Sequence, residues 1–383
     1  MTKYNLNIQF FKCFKNNSFD LQRLTLLSGQ NASGKSSLLH TLALLHQAAS
    51  ESYFGDGLPL NGQTVSLGMC EDVINKQFGR DTVVISIKVD DCEYSCTFGA
   101  SDKQATELTF IHGEWEEAGK QHVLQSPFRW KETTYSKVWS EFLSTLRSLT
   151  YLSADRSGPE EIHSIKGAQQ YKNVGAKGER TAWYLNQYKE NDVLEVLRKP
   201  NVSPWLIRQV EARMQDFFPG FQLELVPIPR SNYATLGMLT DSSTGYLRPQ
   251  NIGFGLSYSL PIFTACLGAK PGDIILVENP EAHLHPSGQS QMGEFLAEVA
   301  KAGVRIIVES HSDHILNGIR KSVKANTLTG ADVALYFFNS SLLKDMPQVA
   351  SPIMDNFGNL SEWPRGFFDQ FDKDLEIITG WGE

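Results

Sequence analysis

The stretch Gly29-Gln30-Asn31-Ala32-Ser33-Gly34-Lys35-Ser36 decides the fold. It follows the compact apolar run Leu24-Thr25-Leu26-Leu27. It precedes a helical pattern from Lys35 to Ala49 that sets Leu38, Leu39, Leu42 and Leu45 on one face. A strand, a glycine-rich turn and a helix in that order fit a phosphate-binding loop. Its glycines let backbone N–H groups converge on phosphate oxygens, and the helix N-terminus adds a favourable dipole. In such a loop Lys35 reaches the β- and γ-phosphates of ATP and the Ser36 hydroxyl ligates Mg²⁺. Gly29, Asn31, Ala32, Ser33, Gly34 and Ser37 complete the cradle.

Outward from this loop, the chain divides by period. Tyr4 to Phe11 alternates as a strand, and Val83–Val89 with Tyr94–Phe98 forms a hairpin turning near Asp90-Asp91. Residues 101–135 are polar with sparse apolar positions, which predicts further antiparallel strands and loops. A helix is expected over Ser136–Leu149, leading into Tyr151-Leu152. Residues 155–180 are rich in Gly, Ser, Gln and Lys and read as a mobile surface segment. Thr181–Met214 reads as helix in two pieces, broken at Pro200 and Pro204, and strands resume at Phe221–Val226. From Leu256 on, helix and strand alternate: helix from Leu256, strand Ile274–Val277, helix Ser287–Ala300, strand Arg305–Val308, helix His314–Val323, strand Val333–Phe338. That alternation signals a parallel sheet flanked by helices.

The composition bounds the class. The chain has 383 residues, 41% hydrophobic and 20% charged, an ordinary globular balance with room for one large or two modest domains. A net charge of −8 argues against coating nucleic acid through bulk charge, while leaving room for a local basic groove. Lys166, Lys172, Lys177 and Arg180 are candidates for such a groove, although Asp155, Glu160, Glu161 and Glu179 dilute it toward a solvated loop. Five scattered cysteines suggest reduced thiols in a cytoplasmic protein. There is no signal-peptide pattern and no apolar run of about 18 residues to span a membrane.

Three further motifs carry chemistry. In Asp273-Ile-Ile-Leu-Val-Glu278-Asn279-Pro280-Glu281-Ala-His283-Leu-His285-Pro286, a buried strand delivers acids to its C-terminal end. Ligands of open α/β sheets sit at that end. A carboxylate there can hold Mg²⁺ through water, and another can position an attacking water. The alternative is an ordinary turn with solvated glutamates. A metal site from His283, His285 and Glu281 lacks further ligands nearby. In Arg305-Ile-Ile-Val-Glu-Ser310-His311-Ser312-Asp313-His314, a second strand delivers a histidine that can meet a γ-phosphate, and Ser312 or Asp313 can cap the next helix. In Asn251-Ile-Gly253-Phe-Gly255-Leu-Ser257-Tyr258, glycines and a serine open a helix, a pattern suited to an anion contact and also to an ordinary turn.

The order of these motifs resembles the prokaryotic AAA-type ATPases related to ABC and recombination-repair heads. That group includes ATPase subunits of anti-phage defence systems and the ATPase half of overcoming-lysogenization-defect nucleases. Trp363-Pro364-Arg365-Gly366-Phe367-Phe368-Asp369-Gln370 is similar to the small C-terminal domain of unknown function attached to many of them. Tyr151-Leu-Ser-Ala-Asp-Arg156 and Val174-Gly175-x-x-Gly178 also look like that group.

The resemblance implies an α/β ABC-type head, with a central, mainly parallel sheet flanked by helices, an antiparallel β subdomain and a helical insertion. It divides as an N-terminal lobe over 1–150, an insertion over 151–220, a C-terminal lobe over 221–330 and a small domain over 331–383. It implies Lys35 and Ser36 as Walker A residues, Glu278 as the Walker B acid and Mg²⁺ partner, His311 as the switch histidine, and Ser257 as the signature serine that touches a partner's nucleotide. Two departures matter: Glu278 replaces the usual Asp, and Asn279 stands where many ABC proteins keep the catalytic Glu. An asparagine cannot accept a proton, so water activation falls to Glu281, or hydrolysis is slow and ATP acts mainly as a clamp.

The implied activity is Mg²⁺-dependent ATP hydrolysis in a homodimer that sandwiches ATP and controls a separate effector, a nuclease or toxin, with DNA as a further possible partner. The alternatives are an ATP-binding scaffold with little hydrolysis and a DNA-repair type ATPase. No carboxylate cluster follows His314, so the chain is not expected to cut DNA itself.

Overall fold

A computed structural model describes residues 2–50, 56–77, 81–128, 137–166, 172–239, 253–339, 347–368 and 370–379. The chain opens with β1 (Tyr4–Gln9), β2 (Asn16–Leu21), β3 (Leu24–Gly29) and α1 (Lys35–Ser50). Next come β4 (Leu58–Pro59), α2 (Cys70–Val73), β5 (Thr82–Val89), β6 (Cys92–Gly99), β7 (Glu107–Glu117) and β8 (Lys120–Val123). The middle holds α3 (Lys137–Ser148), β9 (Thr150–Leu152), β10 (Ile162–Ser164), α4 (Thr181–Tyr188), α5 (Leu206–Phe217), β11 (Gln222–Pro227) and β12 (Tyr233–Leu239). The last part runs α6 (Phe254–Gly268), β13 (Ile274–Glu278), α7 (Pro286–Lys301), β14 (Arg305–Glu309), α8 (Asp313–Lys324), β15 (Val333–Phe338), β16 (Val349–Ala350) and α9 (Gln370–Thr379).

The central sheet has the order β16-β15-β3-β14-β13-β9. Its neighbours β15, β3, β14, β13 and β9 pair in parallel, and only β16 at the edge is antiparallel. The sheet draws strands from all four of the expected segments of the chain. A parallel sheet is covered on both faces, which is why its strands read as unbroken apolar runs. Successive residues feed opposite cores: Ile275 and Val277 of β13 join α6 and α7, while Ile274 and Leu276 join α1 and α3. A second, antiparallel sheet, β2-β1-β5-β6-β7-β4 with β8 on β7, packs over the α1 side. A small sheet, β10-β12-β11, flanks α4 and α5. This is the α/β head with an antiparallel subdomain and a helical insertion that the sequence predicts.

Two expectations need correction. Residues 155–166 and 172–180 lie largely at the surface but are tied in at points: Arg156 and Val174 are buried, and Ile162–Ser164 pairs with β12. Tertiary contacts take in a segment whose composition suggests a loop. Between α4 and α5 the chain is not helical beyond one 3-10 turn at Glu195–Leu197. Prolines at 200 and 204 remove amide donors and push the residues before them toward extended backbone. Ser136, part of 101–135 and Asn251 lie outside the described residues. No helix among those described is long and apolar enough to cross a membrane.

Candidate functional site

Because β3, β13 and β14 run parallel, their C-terminal ends share one edge of the sheet. The loop after β3 is shaped by two glycines. Gly29 has φ +135°, and a Cβ there would sit 2.2 Å from the Phe338 carbonyl oxygen; Gly34 has φ +116°, and its Cβ would sit 2.4 Å from Cys13 Sγ. Ser33 Oγ donates to the Gln30 carbonyl at 2.6 Å, and the Ser37 amide donates to Gly34 O at 3.0 Å, which tightens the turn into α1. Lys35, 4% exposed, folds back onto the loop: its Nζ donates to the carbonyls of Gly29 (3.0 Å) and Gln30 (2.7 Å).

The loop walls a cavity of about 620 Å³, shared with Lys12, His40, Asp72, Glu309 and His311. That volume suits a nucleotide. Glu309 ends β14, nearly buried. Its Oε2 accepts from Ser36 Oγ at 2.9 Å, and its Oε1 lies 3.9 Å from Lys35 Nζ. Burial, and then the charge of Glu278, push its carboxyl up to about 7, against the pull of Ser36 and Lys35. His311 stands exposed at the rim; partial desolvation and then the Lys35 charge lower its pKa and favour a neutral ring. Lys12 sits 2.9 Å from His40 Nδ1, and burial followed by that lysine's charge drops His40 to about 3.

Glu278 ends β13, one strand away. Its Oε1 accepts from the Tyr151 hydroxyl at 2.8 Å and its Oε2 from the Ala154 amide at 3.0 Å. Asn279 then turns the chain with φ +44°, its amide donating to Glu309 O at 2.8 Å. Arg156 fastens this turn, donating to the carbonyls of Glu278 and Asn279, both at 2.6 Å, and of Ser153 at 3.0 Å. Burial lowers the Arg156 pKa to about 10, so it stays charged at neutral pH. Asn279 Oδ1 is buried with no hydrogen-bond partner among the described residues. Glu281 does not wall the cavity; its Oε1 accepts the His311 amide at 2.8 Å, and burial raises its pKa while that amide opposes the shift.

The remaining candidates take other places. Ser257 is 9% exposed, and its Oγ has no hydrogen-bond partner among the described residues. It faces a narrow cleft beside Gly178 and Pro261, away from the phosphate loop. Among the described residues of that turn, Gly253 and Phe254 are exposed. The His283 ring packs on Phe254 and Tyr258 at 5.5 and 4.9 Å. His285 caps α7, accepting from the Ser287 amide, and Ser312 caps α8, accepting from the amides of His314 and Ile315. Lys177 pairs with Asp155, and Arg180 with Asn173.

Sequence reasoning assigns no role to Glu309, Lys12 or His40, and it quotes Tyr151 and Arg156 only as part of a motif without giving them one. The rule that marks Glu278, an acid at the end of an apolar strand, also marks Glu309. Lys12 carries no such signal.

The loop, the acids and Lys35 fit a magnesium nucleotide. Two glycines hold the backbone where side chains would clash, and among the described residues the buried ammonium meets loop carbonyls and a carboxylate at 3.9 Å. Residues 24–317 match the family described as "AAA domain, putative AbiEii toxin, Type IV TA system". Residues 328–378 match the family described as "Protein of unknown function (DUF3696)". No curated protein matches the chain. Among solved structures, an SmcHead bound to the C-winged helix domain of ScpA is 13% identical, with 91% of this chain and 97% of that chain covered and a TM-score of 0.51. An Smc head domain with an extended coiled coil, bound to the C-terminal domain of ScpA from Pyrococcus furiosus, is 14% identical, with 99% and 100% covered and a TM-score of 0.51. At those identities the likeness is one of fold.

Proposed function

The chain belongs to the AAA-domain family matched over residues 24–317, and from that premise we propose that it is a Mg²⁺-dependent ATPase working as a nucleotide-gated switch. The observation that carries this reading is the meeting of Lys35, Ser36, Glu309 and His311 on one cavity at the C-terminal edge of a parallel sheet. Lys35 leaves its two loop carbonyls for phosphate oxygens when ATP enters. Loop amides and the α1 N-terminus bind the same anion. Ser36, with a carboxylate from the acidic strand ends beside it, would hold the cation. A bound Mg²⁺ would supply neutralisation of the phosphate charge.

His311, favoured as neutral, donates to the γ-phosphate or its attacking water. Glu281 orients that water, because Asn279 cannot act as a base and its backbone is locked by Arg156. Closure of two heads around ATP, control of a separate nuclease or toxin, and a defence role extend this reading. Support for the last is the family's description, which names a putative toxin system. Five free thiols fit a cytoplasmic setting.

Calorimetry with ATP and Mg²⁺, followed by phosphate release, tests the proposal. Absence of binding by the parent chain overturns it. A second reading, an ATP clamp with little hydrolysis, draws on Asn279; it predicts tight binding with no phosphate released.

A further inference from the structure

Glu278 and Glu309 are register partners at the ends of adjacent strands, yet they meet the nucleotide cavity differently. The sheet order places β14 directly beside β3, with β13 one strand further out. Helix α1 passes both acids and offers a different residue to each. Ser36 faces Glu309 at 2.9 Å; His40, one turn later, faces Glu278 at 3.9 Å. Both oxygens of Glu278 are engaged by structural donors, the Tyr151 hydroxyl and the Ala154 amide. Glu309 instead touches the two Walker A side chains and walls the cavity, which Glu278 does not.

We propose that Glu309, together with Ser36, is the carboxylate that holds the magnesium side of the nucleotide site, and that Glu278 is a positioning residue anchoring residues 151–154 to the end of β13. The assignment rests on the ATPase reading above and settles which of its two acids meets the cation. Mg²⁺ is held in nucleotide sites through one or two carboxylates plus phosphate oxygens, so exchanging one carboxylate for an amide weakens the metal contribution directly.

The test separates metal-dependent from metal-independent nucleotide binding, using ADP, which is not turned over. Calorimetry on the full chain gives the ratio of ADP affinity with Mg²⁺ to that in EDTA, for the parent, Glu309→Gln and Glu278→Gln. The amide of Glu309→Gln can still accept from Ser36, which preserves the fold. The expected result is that Glu309→Gln lowers the ratio at least tenfold with its EDTA affinity unchanged. Glu278→Gln keeps the ratio within twofold and lowers the melting temperature. Should Glu309→Gln fail to fold, Glu309→Asp, which keeps the charge, is expected to retain part of the ratio, and a parental ratio in that variant counts against the assignment. Loss of the ratio in Glu278→Gln with retention in Glu309→Gln, or equal loss in both, overturns it. Absence of ADP binding by the parent overturns the ATPase reading itself, and the assignment with it.

Discussion

At the scale of single residues, the site is a set of buried polar groups whose partners are interim ones. Lys35 is the clearest case, held by two loop carbonyls that a phosphate would replace under the proposed function. Removing its amine forfeits charge-assisted hydrogen bonds worth about 1.5–3 kcal/mol each, so Lys35→Ala should weaken ATP binding roughly 10- to 100-fold or more. The fold should survive, because the lysine contacts the loop and not either core. Calorimetry beside a melting curve checks both halves, and equal affinity in mutant and parent refutes the loop assignment. Glu281 makes a different claim. Its carboxylate is fixed by the His311 amide behind the cavity wall, so under the reading proposed above it would reach water only once His311 and nucleotide settle. Glu281→Gln should trap bound ATP and slow phosphate release by about 10². Unchanged turnover would leave Glu281 as no more than an anchor for His311.

At the scale of elements, one buried arginine joins β9 to the turn after β13. Arg156→Ala strands the carbonyls of Glu278, Asn279 and Ser153 without their donor. A loss of about 3–5 kcal/mol is expected from breaking such a buried charged network, visible as a lower denaturant midpoint. A midpoint equal to the parent's shows that the turn holds itself. Helix α1 supplies a pH effect. His46 is fully buried against the Leu146 carbonyl and Ser50, and burial lowers its pKa from 6.5 to about 4. The unfolded chain therefore binds more protons between those values, so stability is full above pH 6.5 and falls as the pH drops toward 4. At pH 5 the loss is on the order of 2 kcal/mol. His46→Gln should flatten part of the melting-temperature slope between pH 7 and 5; an unchanged slope rules His46 out.

The elements were readable where one residue pattern has one solution. Ile274–Val277 and Ile306–Val308 are short apolar runs bounded by a turn before and acids after, which suits a doubly covered strand. Arg156 and Val174 stand in quoted motifs, yet their burial is not legible in a Gly- and Lys-rich stretch because it depends on distant partners. Glu309 escapes for a topological reason: spacing shows that two strands end in acids but not which of them lies beside the phosphate loop.

At the scale of the whole molecule, the question is what the start of α6 does, since Gly253 and Phe254 are exposed there beside a buried serine. Gly253 and Phe254 are exposed at the helix start, Phe254 to 53%, while Ser257 lies beneath them with its hydroxyl covered. Two heads meeting through ATP would bring this turn against a partner's phosphate loop. ATP would then act as interface glue, stabilising the pair by mass action as any ligand of the closed state does. Ser257→Arg is a poor probe, since a buried arginine would disturb the packing of α6. Gly253→Arg is a better one: its φ is −58°, and among the described residues a Cβ there meets nothing within 4 Å, so the change adds bulk and charge without disturbing the packing of α6. On a Glu281→Gln background, which keeps ATP bound, light scattering should show the mass double with ATP and remain monomeric with ADP. Adding Gly253→Arg should abolish the doubling while each monomer still binds ATP with parental affinity. A mass that doubles regardless of Gly253→Arg means the turn is not the shared face, and a mass that never doubles means the head works without a second copy of itself.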